Sequence, residues 1–320
     1  MRRFFLLIVL FISACAPVVT ETAVPTLPTN SLPAAPEPLP GLVFTSERDG
    51  NWEIYRMDAD GSNVVRLTDT DISEGGADWS PDGRSVVFWS RRDGNADVYV
   101  MGADGRDPRN IAYDPAENGF EEFYMRWHPD GGSIAFFSNR FGNEGYDCAV
   151  HRIGFMAING GVESMQALSG AVGNQETLDW SPDGQTLAFS SKSCGGTGVN
   201  LQIFLWNIPD DAVTQLTKDK YINAGPAFSH DGRFLAYHSF RDGNSEIILL
   251  DLASGEAVNL TNNPAKESHP TWSPDDSQIA FVTDRDGNDE IYVMDVDGTN
   301  LQNLTNHPAR DFEPRWSPIP

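Results

Sequence analysis

The pentapeptide WSPDG at Trp79–Gly83 recurs along the chain with small changes, and this recurrence decides the fold. Successive copies stand between 44 residues apart (228 to 272) and 53 residues apart (127 to 180). Repeats of this length that contain several short strands are typical of β-propeller blades. The six copies read WSPDG, WHPDG, WSPDG, FSHDG, WSPDD and WSPIP, and they begin at Trp79, Trp127, Trp180, Phe228, Trp272 and Trp316.

Each interval repeats the same order of segments. An alternating apolar run such as SVVFWS follows the pentapeptide and predicts a half-buried strand. A turn follows, which reads RDGN at Arg48, Arg92, Arg241 and Arg285, and then a run such as EIYVMD, a second turn and a short segment ending in LT. The stretch before the next aromatic completes a four-stranded blade. Radial stacking would bury both faces of such blades, so we expect the pentapeptide aromatic to pack between neighbouring blades.

The two ends of the repeat region complement each other. Leu42–Ser46 is not preceded by an aromatic strand, and Glu313–Trp316 is not followed by further strands. Joining them gives six complete blades, in which the C-terminal strand is the inner strand of the N-terminal blade. This closure protects edges that would otherwise pair with other chains. The predicted fold is all-β: a six-bladed β-propeller of four-stranded blades over residues 41–320.

The consensus PxWSPDGxxIAF, RDGNxEIYVMDxDGxNxxxLT resembles the TolB-type repeat of the WD40-like (PD40) β-propeller family, and the resemblance covers nearly everything from Gly41 to Pro320. It implies the propeller fold and a protein or peptide partner at a tunnel mouth. Related blades also occur in peptidase propellers, so the resemblance implies less about function. The sequence leaves no room for the separate N-terminal α/β domain that TolB itself carries, which argues against the full TolB function.

The N-terminus predicts export and a lipid anchor. MRRFFLLIVLFISAC combines two arginines, an apolar run and small residues ahead of Cys15, which predicts a signal peptide at 1–14. ISAC resembles a bacterial lipobox, which implies lipidation of the Cys15 thiol. Residues 15–40 are rich in Pro, Thr and Ala and should form an extended tether. We therefore expect an extracytoplasmic protein on the outer membrane facing the periplasm, or on the outer face of the cytoplasmic membrane.

The composition narrows the class of partner. The formal net charge is -24 and the sequence pI is about 4.4. A strongly acidic chain repels phosphate backbones, so nucleic acid is not an expected partner. Cations and basic protein surfaces are the electrostatically favoured ligands.

The sequence carries no motif of a known catalytic site. It contains no GxSxG, no HExxH and no paired-cysteine metal spacing, and its six histidines fall in different positions of the repeat. The DxDG segments at Asp58–Gly61 and Asp295–Gly298 lack the later ligands of a calcium loop and predict tight turns. We therefore expect a monomeric, non-enzymatic protein.

One register predicts a ligand site. It lies five residues before each pentapeptide aromatic, at the start of the strand expected to line the tunnel, so its members would surround one tunnel mouth. Four carboxylates and two amides there would suit calcium or a basic peptide. The alternative is that these side chains bond to neighbouring turns. His269 and Glu313, two residues further along, would extend the mouth. The register comprises Glu74, Glu122, Gln175, Asn223, Glu267 and Asp311.

Two further cysteines mark enlarged turns. Cys148 and Cys194 lie between the first and second strands of consecutive repeats, in NEGYDCAVHR and KSCGGTGVN, where other repeats have RDGN. Equivalent loops of adjacent blades share a face, and export favours oxidation, so we expect a disulfide between them. These loops are also the expected partner-specific surface.

The sequence thus predicts an envelope lipoprotein that binds an unidentified protein or peptide through a tunnel mouth and face loops. The alternative is a carbohydrate-binding protein, or a metal-dependent hydrolase or lyase, that uses the acidic mouth.

Overall fold

The computed structural model describes residues 38–113, 119–141, 152–161, 164–167, 175–192 and 200–319. In this part of the chain, 24 strands form six antiparallel sheets of four strands each. No described helix is long and apolar enough to cross a membrane. In chain order the strands of the first three blades are β1 (Leu42–Ser46), β2 (Glu53–Met57), β3 (Val65–Arg66), β4 (Glu74–Trp79), β5 (Ser85–Ser90), β6 (Asp97–Gly102), β7 (Arg109–Asn110), β8 (Glu122–Trp127), β9 (Ser133–Ser138), β10 (Arg152–Ala157) and β11 (Gln166–Ala167).

The other three blades follow the same plan, including the fourth, whose repeat is among the least regular. Each has an inner strand that ends in the pentapeptide aromatic and three strands that lead outwards. Their strands, with the one that returns to the first blade, are β12 (Gln175–Trp180), β13 (Thr186–Lys192), β14 (Leu201–Asn207), β15 (Ala212–Gln215), β16 (Asn223–Phe228), β17 (Phe234–Ser239), β18 (Glu246–Asp251), β19 (Ala257–Asn259), β20 (Glu267–Trp272), β21 (Gln278–Thr283), β22 (Glu290–Asp295), β23 (Gln302–Asn303) and β24 (Asp311–Trp316).

The ring closes as the sequence predicts. The first sheet has the order β24–β1–β2–β3, so the last strand of the chain is the inner strand of the first blade. β24 runs antiparallel to β1, with Leu42 opposite Trp316 and Ser46 opposite Asp311. The six-bladed, all-β propeller is therefore confirmed.

The hydrophobic core lies between the blades. Each of six buried clusters combines apolar side chains from two neighbouring sheets. Trp79 and Trp272 are each 3% exposed, and their indole nitrogens donate to the carbonyl oxygens of Arg315 and Ala227 in the preceding blade. The predicted packing role of the pentapeptide aromatic is confirmed, because an isolated blade could not bury these rings.

The RDGN turn recurs because three of its side chains hold the blade together. The guanidinium of Arg285 donates to Glu267 on the inner strand and lies 4.8 Å from the ring centroid of Tyr292. The Asp286 carboxylate accepts from the Tyr292 hydroxyl. The amide of Asn288 donates to Glu290 at 2.9 Å and to two backbone carbonyls of the following loop. The turn is thus a structural device that ties the inner, second and third strands to the loop beyond.

The LT ending, which four of the six repeats have, plays a similar role. The Thr305 hydroxyl accepts from the backbone N–H of Ile291 and donates to Glu290. Thr68 makes the same contacts with Ile54 and Glu53. The outermost strands are only two to four residues long. These side-chain bonds fix strands that have few backbone bonds of their own.

Candidate functional site on the propeller axis

The propeller has two faces that differ in their turns. The pentapeptide turns lie at the end of each inner strand, on what we call the pentapeptide face. The RDGN turns lie at the opposite ends of the same sheets, on what we call the RDGN face. The chain enters the propeller on the pentapeptide face, where the Leu39 N–H donates to the carbonyl of Gly83 and the Ser317 hydroxyl donates to the carbonyl of Leu39.

The six residues of the predicted mouth register occupy the first position of the inner strands, at the RDGN face. The side chain of Gln175 lies outside the described residues. The other five residues are fully buried, with 0% exposure. The structure therefore places them inside the blades, where they contact neighbouring residues. Calcium or peptide binding by this register stays a prediction.

Arginines accompany four of these five buried residues. Arg48 contacts both carboxylate oxygens of Asp311, at 2.9 and 3.0 Å. Arg92 pairs with Glu74, and Arg285 pairs with Glu267 at 3.0 Å. In the fifth blade the amide of Asn223 instead donates to Asp219 at 2.9 Å. In each of the four blades with an acid in the register, the acid is approached by an arginine that begins an RDGN turn or, in the third blade, the sequence RFGN. The fifth blade has an RDGN arginine, Arg241, but no acid in the register.

The pair in the third blade is looser. Arg140 lies 3.5 Å from Glu122. Among the described residues, the second carboxylate oxygen of Glu122 is buried without a hydrogen-bond partner, as are those of Glu74 and Glu267. Burial raises the pKa of Glu122 to about 7. Burial also raises the pKa of Glu267, although Asn263, Thr283 and Arg285 bond to its ionised form. Both shifts reflect removal of a carboxylate from water.

The inner strands share a bulge that lines the tunnel. The pairing with the second strand shifts at this point in all six blades. In five blades the residue at the bulge has a positive φ: Gly76 (63°), Tyr124 (52°), Gly225 (65°), His269 (52°) and Glu313 (54°). This conformation is unfavourable for residues other than glycine and tends to persist at functional sites. Three large polar or aromatic side chains are thus held at the axis.

The bulge residue and its neighbour on the second strand share the space beside the axis. A side chain at Gly76 would meet the Trp89 ring at 2.9 Å, and one at Gly225 would meet the His238 ring at 2.8 Å. In the first blade the neighbour is small, and the Thr45 hydroxyl donates to Glu313 at 3.0 Å. In the third blade both are aromatic, with the ring centroids of Tyr124 and Phe137 6.1 Å apart. Each blade therefore fills the same space by a different combination, which makes the axis asymmetric.

The centre of the tunnel is nearly filled. The bulge residues and their neighbours enclose about 20 Å³, room for about one water molecule. Tyr124 and Glu313 line both this cavity and a pocket at the RDGN face, and Arg315 lines both this cavity and a pocket at the pentapeptide face. The two mouths are therefore separate pockets.

Four charged residues lie between the centre and the pentapeptide face. We call Asp78, Arg126, Asp179 and Arg315 the axial ion cluster. Each directly precedes a pentapeptide aromatic. Arg126 and Arg315 both approach the same oxygen of Asp179, at 4.0 and 3.9 Å. The sequence analysis did not predict a role for the position before the pentapeptide aromatic. Its charged residues, in strands that were expected to be buried, were the signal that could have indicated one.

Burial changes the protonation of this region. It raises the pKa of Asp78 to about 6 and that of Asp179 to about 7, against the lowering effect of Arg126. Burial lowers the pKa of His238 to about 3 and also lowers the pKa of His269. The two histidines near the axis are therefore neutral at pH 7, whereas Asp179 changes charge close to neutral pH.

We expect Asp179→Asn to remove a pH dependence of stability. Because the folded-state pKa of Asp179 lies above its ordinary value of 3.8, its stabilising effect is complete below about pH 4 and is lost as the pH rises to about 7. The slope reaches up to about 1.4 kcal/mol per pH unit. Urea unfolding at pH 4.5 and 7.5 should therefore show the variant gaining stability relative to the native protein at the higher pH.

Asp183→Asn is the matched control for this prediction. The Ser181 hydroxyl lowers the pKa of the Asp183 carboxyl, so its contribution is lost only below about pH 4 and should be constant between pH 4.5 and 7.5. An equal difference between Asp179→Asn and the native protein at both pH values would contradict the prediction.

The pentapeptide face carries a funnel of about 260 Å³ above the axial ion cluster. All six pentapeptide aromatics contribute to its wall, with four prolines of the same turns: Pro81, Pro129, Pro182 and Pro318. Asp78, Asp179 and Arg315 of the axial ion cluster also line it. The funnel thus has an apolar wall and a charged floor in which opposite charges lie close together.

The mouth on the RDGN face is different in character. A pocket of about 560 Å³, which we call the aromatic pocket, is lined by Trp52, Ser73, Trp89, Arg91, Phe123, Tyr124 and Glu313. Four rings at this mouth contact one another edge to face in series, and we call them the aromatic arc: Phe312, Trp52, Trp89 and Phe123. The distances between successive ring centroids along the arc are 5.1 Å, 6.0 Å and 5.7 Å.

The aromatic arc was not predicted, because its residues come from different positions of the repeat. Trp52 follows an RDGN turn, where Ala96 and Ser245 stand in other repeats. Trp89 comes from a second strand, and Phe123 comes from the start of an inner strand. Blades 1, 2 and 3 are consecutive in the chain, and the closure of the ring adds Phe312 and Glu313 of β24 to this mouth. The departures from the repeat were nonetheless visible as extra aromatics.

Other predicted site residues lie outside the described part of the chain. These include Cys15 and the proposed Cys148–Cys194 disulfide, which therefore stay predictions. Among the described residues, no group of three or more His, Cys, Asp or Glu side chains could hold a metal ion.

The closed ring of six four-stranded blades, with pockets at both ends of a nearly filled axis, defines a six-bladed β-propeller. The PD40 family model, described as the TolB beta propeller domain, matches residues 29–146 and 224–319, more than half of the chain. The chain therefore belongs to the TolB beta-propeller domain family. No curated protein is significantly similar to it.

Solved structures with the same fold include proteins of different roles. TolB from Acinetobacter baumannii is 22% identical, with a TM-score of 0.71, over 87% of this chain and 66% of that one. The chain thus spans slightly less than two thirds of that protein. A chain of a nidogen/laminin complex is 12% identical, with a TM-score of 0.66, over 87% and 98%. An oligogalacturonate lyase in complex with manganese is 17% identical, with a TM-score of 0.55, over 83% and 74%. These identities support a shared fold alone.

Proposed function

We propose that this protein is a non-enzymatic scaffold of the cell envelope that binds a protein or peptide at the RDGN-face mouth. The observation that carries the proposal is the aromatic pocket, because concave, largely apolar sites with a few polar groups are where proteins bind ligands. Trp and Tyr rings also supply much of the binding energy at protein interfaces. Trp52, Phe123 and Tyr124 in this pocket are partly exposed to solvent.

The point of entry of the chain supports this choice of mouth. Leu39, near the end of the predicted tether of residues 15–40, is bound at the pentapeptide face. A lipid on Cys15 would therefore pull on the pentapeptide face. The aromatic pocket, on the opposite face, would be left accessible to a partner. The enlarged turns around Cys148 and Cys194 stand in the sequence where other repeats have RDGN turns, so we expect them on the same face.

The enzymatic alternative has less support. Its supporting fact is that an oligogalacturonate lyase shares the fold. The carboxylates that the sequence offered as metal ligands are buried, and in four blades they pair with arginines. A cation would have to displace these arginines.

A photo-crosslinking experiment tests the proposal. Benzoylphenylalanine would replace Ile72, which is 40% exposed and adjoins Ser73 of the aromatic pocket. The matched control carries the same group at Tyr113, which is 57% exposed and does not line that pocket. In cells that produce the full-length protein, irradiation should give a discrete crosslinked protein from position 72 alone.

The same experiment includes a binding variant. Trp52→Ala should abolish the crosslink from position 72 because it removes part of the aromatic wall, while thermal melting verifies that the variant is folded. Identical crosslinks from positions 72 and 113, or a position-72 crosslink that survives Trp52→Ala, would contradict binding at this mouth.

A further inference from the structure

Among the described residues, an arginine lies near each of the two end rings of the aromatic arc, but none lies over the two central rings. At one end the guanidinium of Arg310 lies 5.2 Å from the ring centroid of Phe312, and at the other end Arg91 lies 5.8 Å from that of Phe123. Cations are attracted to aromatic faces at such distances. Among the described residues, no Lys or Arg lies over Trp52 or Trp89 in this way. The arc therefore binds arginines at its ends, and its two central rings are without one.

A carboxylate lies at the base of the same pocket. Glu313 is held by its bulge, and one oxygen, Oε2, accepts from the Thr45 hydroxyl at 3.0 Å and from the Gly76 N–H at 2.9 Å. Within the described residues, no hydrogen bond to Oε1 is formed. An ionised carboxylate accepts bonds at both oxygens, so Glu313 retains capacity for a donor from a ligand.

The other charges near the pocket also favour a cation. The positive charge of Arg91 opposes the binding of a cation, but Arg91 is paired with Glu121 at 3.0 Å. Arg310 is likewise paired, with Asp289 and Glu47. Glu47 also accepts from the indole of Trp52 at 2.8 Å. The protein as a whole has a formal charge of -24, which attracts basic ligands over longer distances.

We propose that the aromatic pocket binds a lysine or arginine side chain of its partner, with the cation in the space lined by Trp52 and Trp89 and a hydrogen bond to Glu313. This inference rests on the proposed function and specifies which chemistry the mouth recognises. Desolvated rings and a carboxylate together form the kind of cage that proteins use for cationic groups.

The test uses the full-length protein in detergent, with 5-fluorotryptophan in place of Trp, and fluorine NMR. The probes are three peptides that differ at one residue: acetyl-Ala-Lys-Ala-amide and its norleucine and glutamate analogues. Norleucine has nearly the length of lysine without the charge. Trp52→Phe and Trp89→Phe identify the two signals. We expect the lysine peptide to shift both signals and to bind at least tenfold more tightly than the norleucine peptide.

Glu313→Gln separates charge from packing. The glutamine carbonyl can still accept from Thr45 and Gly76, so the fold should be retained, while affinity for the lysine peptide should fall at least fivefold. Tyr113→Ala, outside the pocket, should leave the affinity unchanged. Equal binding of the norleucine peptide would overturn the cation site but leave a peptide pocket. Tightest binding of the glutamate peptide, or no shift with any peptide, would also overturn it, and the crosslinking experiment would then decide separately whether the mouth binds a partner.

Discussion

A chain that ends at Arg310, and therefore lacks β24, is expected to lose its cooperative fold. β1 would have no inner partner, and the cluster between the last and first blades would lose Trp316. The bidentate pair of Arg48 with Asp311 would also be lost. Since a native protein is stable by only about 5–15 kcal/mol, removal of a whole strand from a closed ring exceeds what the fold can tolerate. Thermal melting followed by near-ultraviolet circular dichroism should show no cooperative transition.

Two controls make this result specific to ring closure. A chain that ends at Pro318 keeps β24 and should melt close to the full-length protein. A synthetic peptide of residues 307–320, added to the shorter chain, should restore a transition by supplying the missing strand in trans. Cooperative melting of the shorter chain near the native temperature would show that the ring does not depend on this closure.

The second large effect is expected from Arg285→Met. It leaves the carboxylate of Glu267, which is 0% exposed, without its cationic partner. Loss of one member of a buried ion pair typically costs about 3–5 kcal/mol. We expect a loss near the lower end of this range, because Thr283 and Asn263 still donate to Glu267. Urea unfolding at pH 7 measures it.

Three comparisons test the reason for this loss. The deficit should shrink as the pH falls, since protonation removes the unpaired charge. Glu267→Gln combined with Arg285→Met should be more stable than Arg285→Met alone, because the amide keeps its neighbours without a charge. Arg233→Met breaks a surface pair with Asp251, in which Arg233 is 61% exposed, and should cost less than about 1 kcal/mol. Equal losses for the two arginines would refute the structural role of the RDGN turn.

If these results are obtained, the RDGN turn has one role in the blade and another for the mouth. Its arginine fixes the start of the inner strand by pairing with the buried acid. The neighbouring residues of the same inner strand, such as Phe123 and Phe312, then lie at the mouth in defined positions. Binding sites are most precise when rigid elements present them.

The prediction of the mouth register shows how far residue spacing alone can locate a site. Spacing alone placed Glu74, Glu122 and Glu267 correctly at the start of the inner strands. Spacing could not show which way their side chains point, because this depends on the bulge and on the arginine of the same blade. The aromatic pocket instead uses residues from β5, β8 and β24 and from the segments just before β2, just before β4 and just after β5, which are distant in the chain.

The sequence by itself determined the number of blades, the four strands of each and the closure by the last strand. A repeated pattern of apolar alternation and turn residues leaves few other ways to bury its strands. Only the tertiary structure decided which polar groups face a ligand. It buried the repeated acids against arginines, placed Asp78, Arg126, Asp179 and Arg315 together on the axis, and assembled Trp52, Trp89 and Phe123 into one arc. The physical reason is that repeated residues satisfy the needs common to every blade, whereas a binding site arises where the ring brings together residues that depart from the repeat.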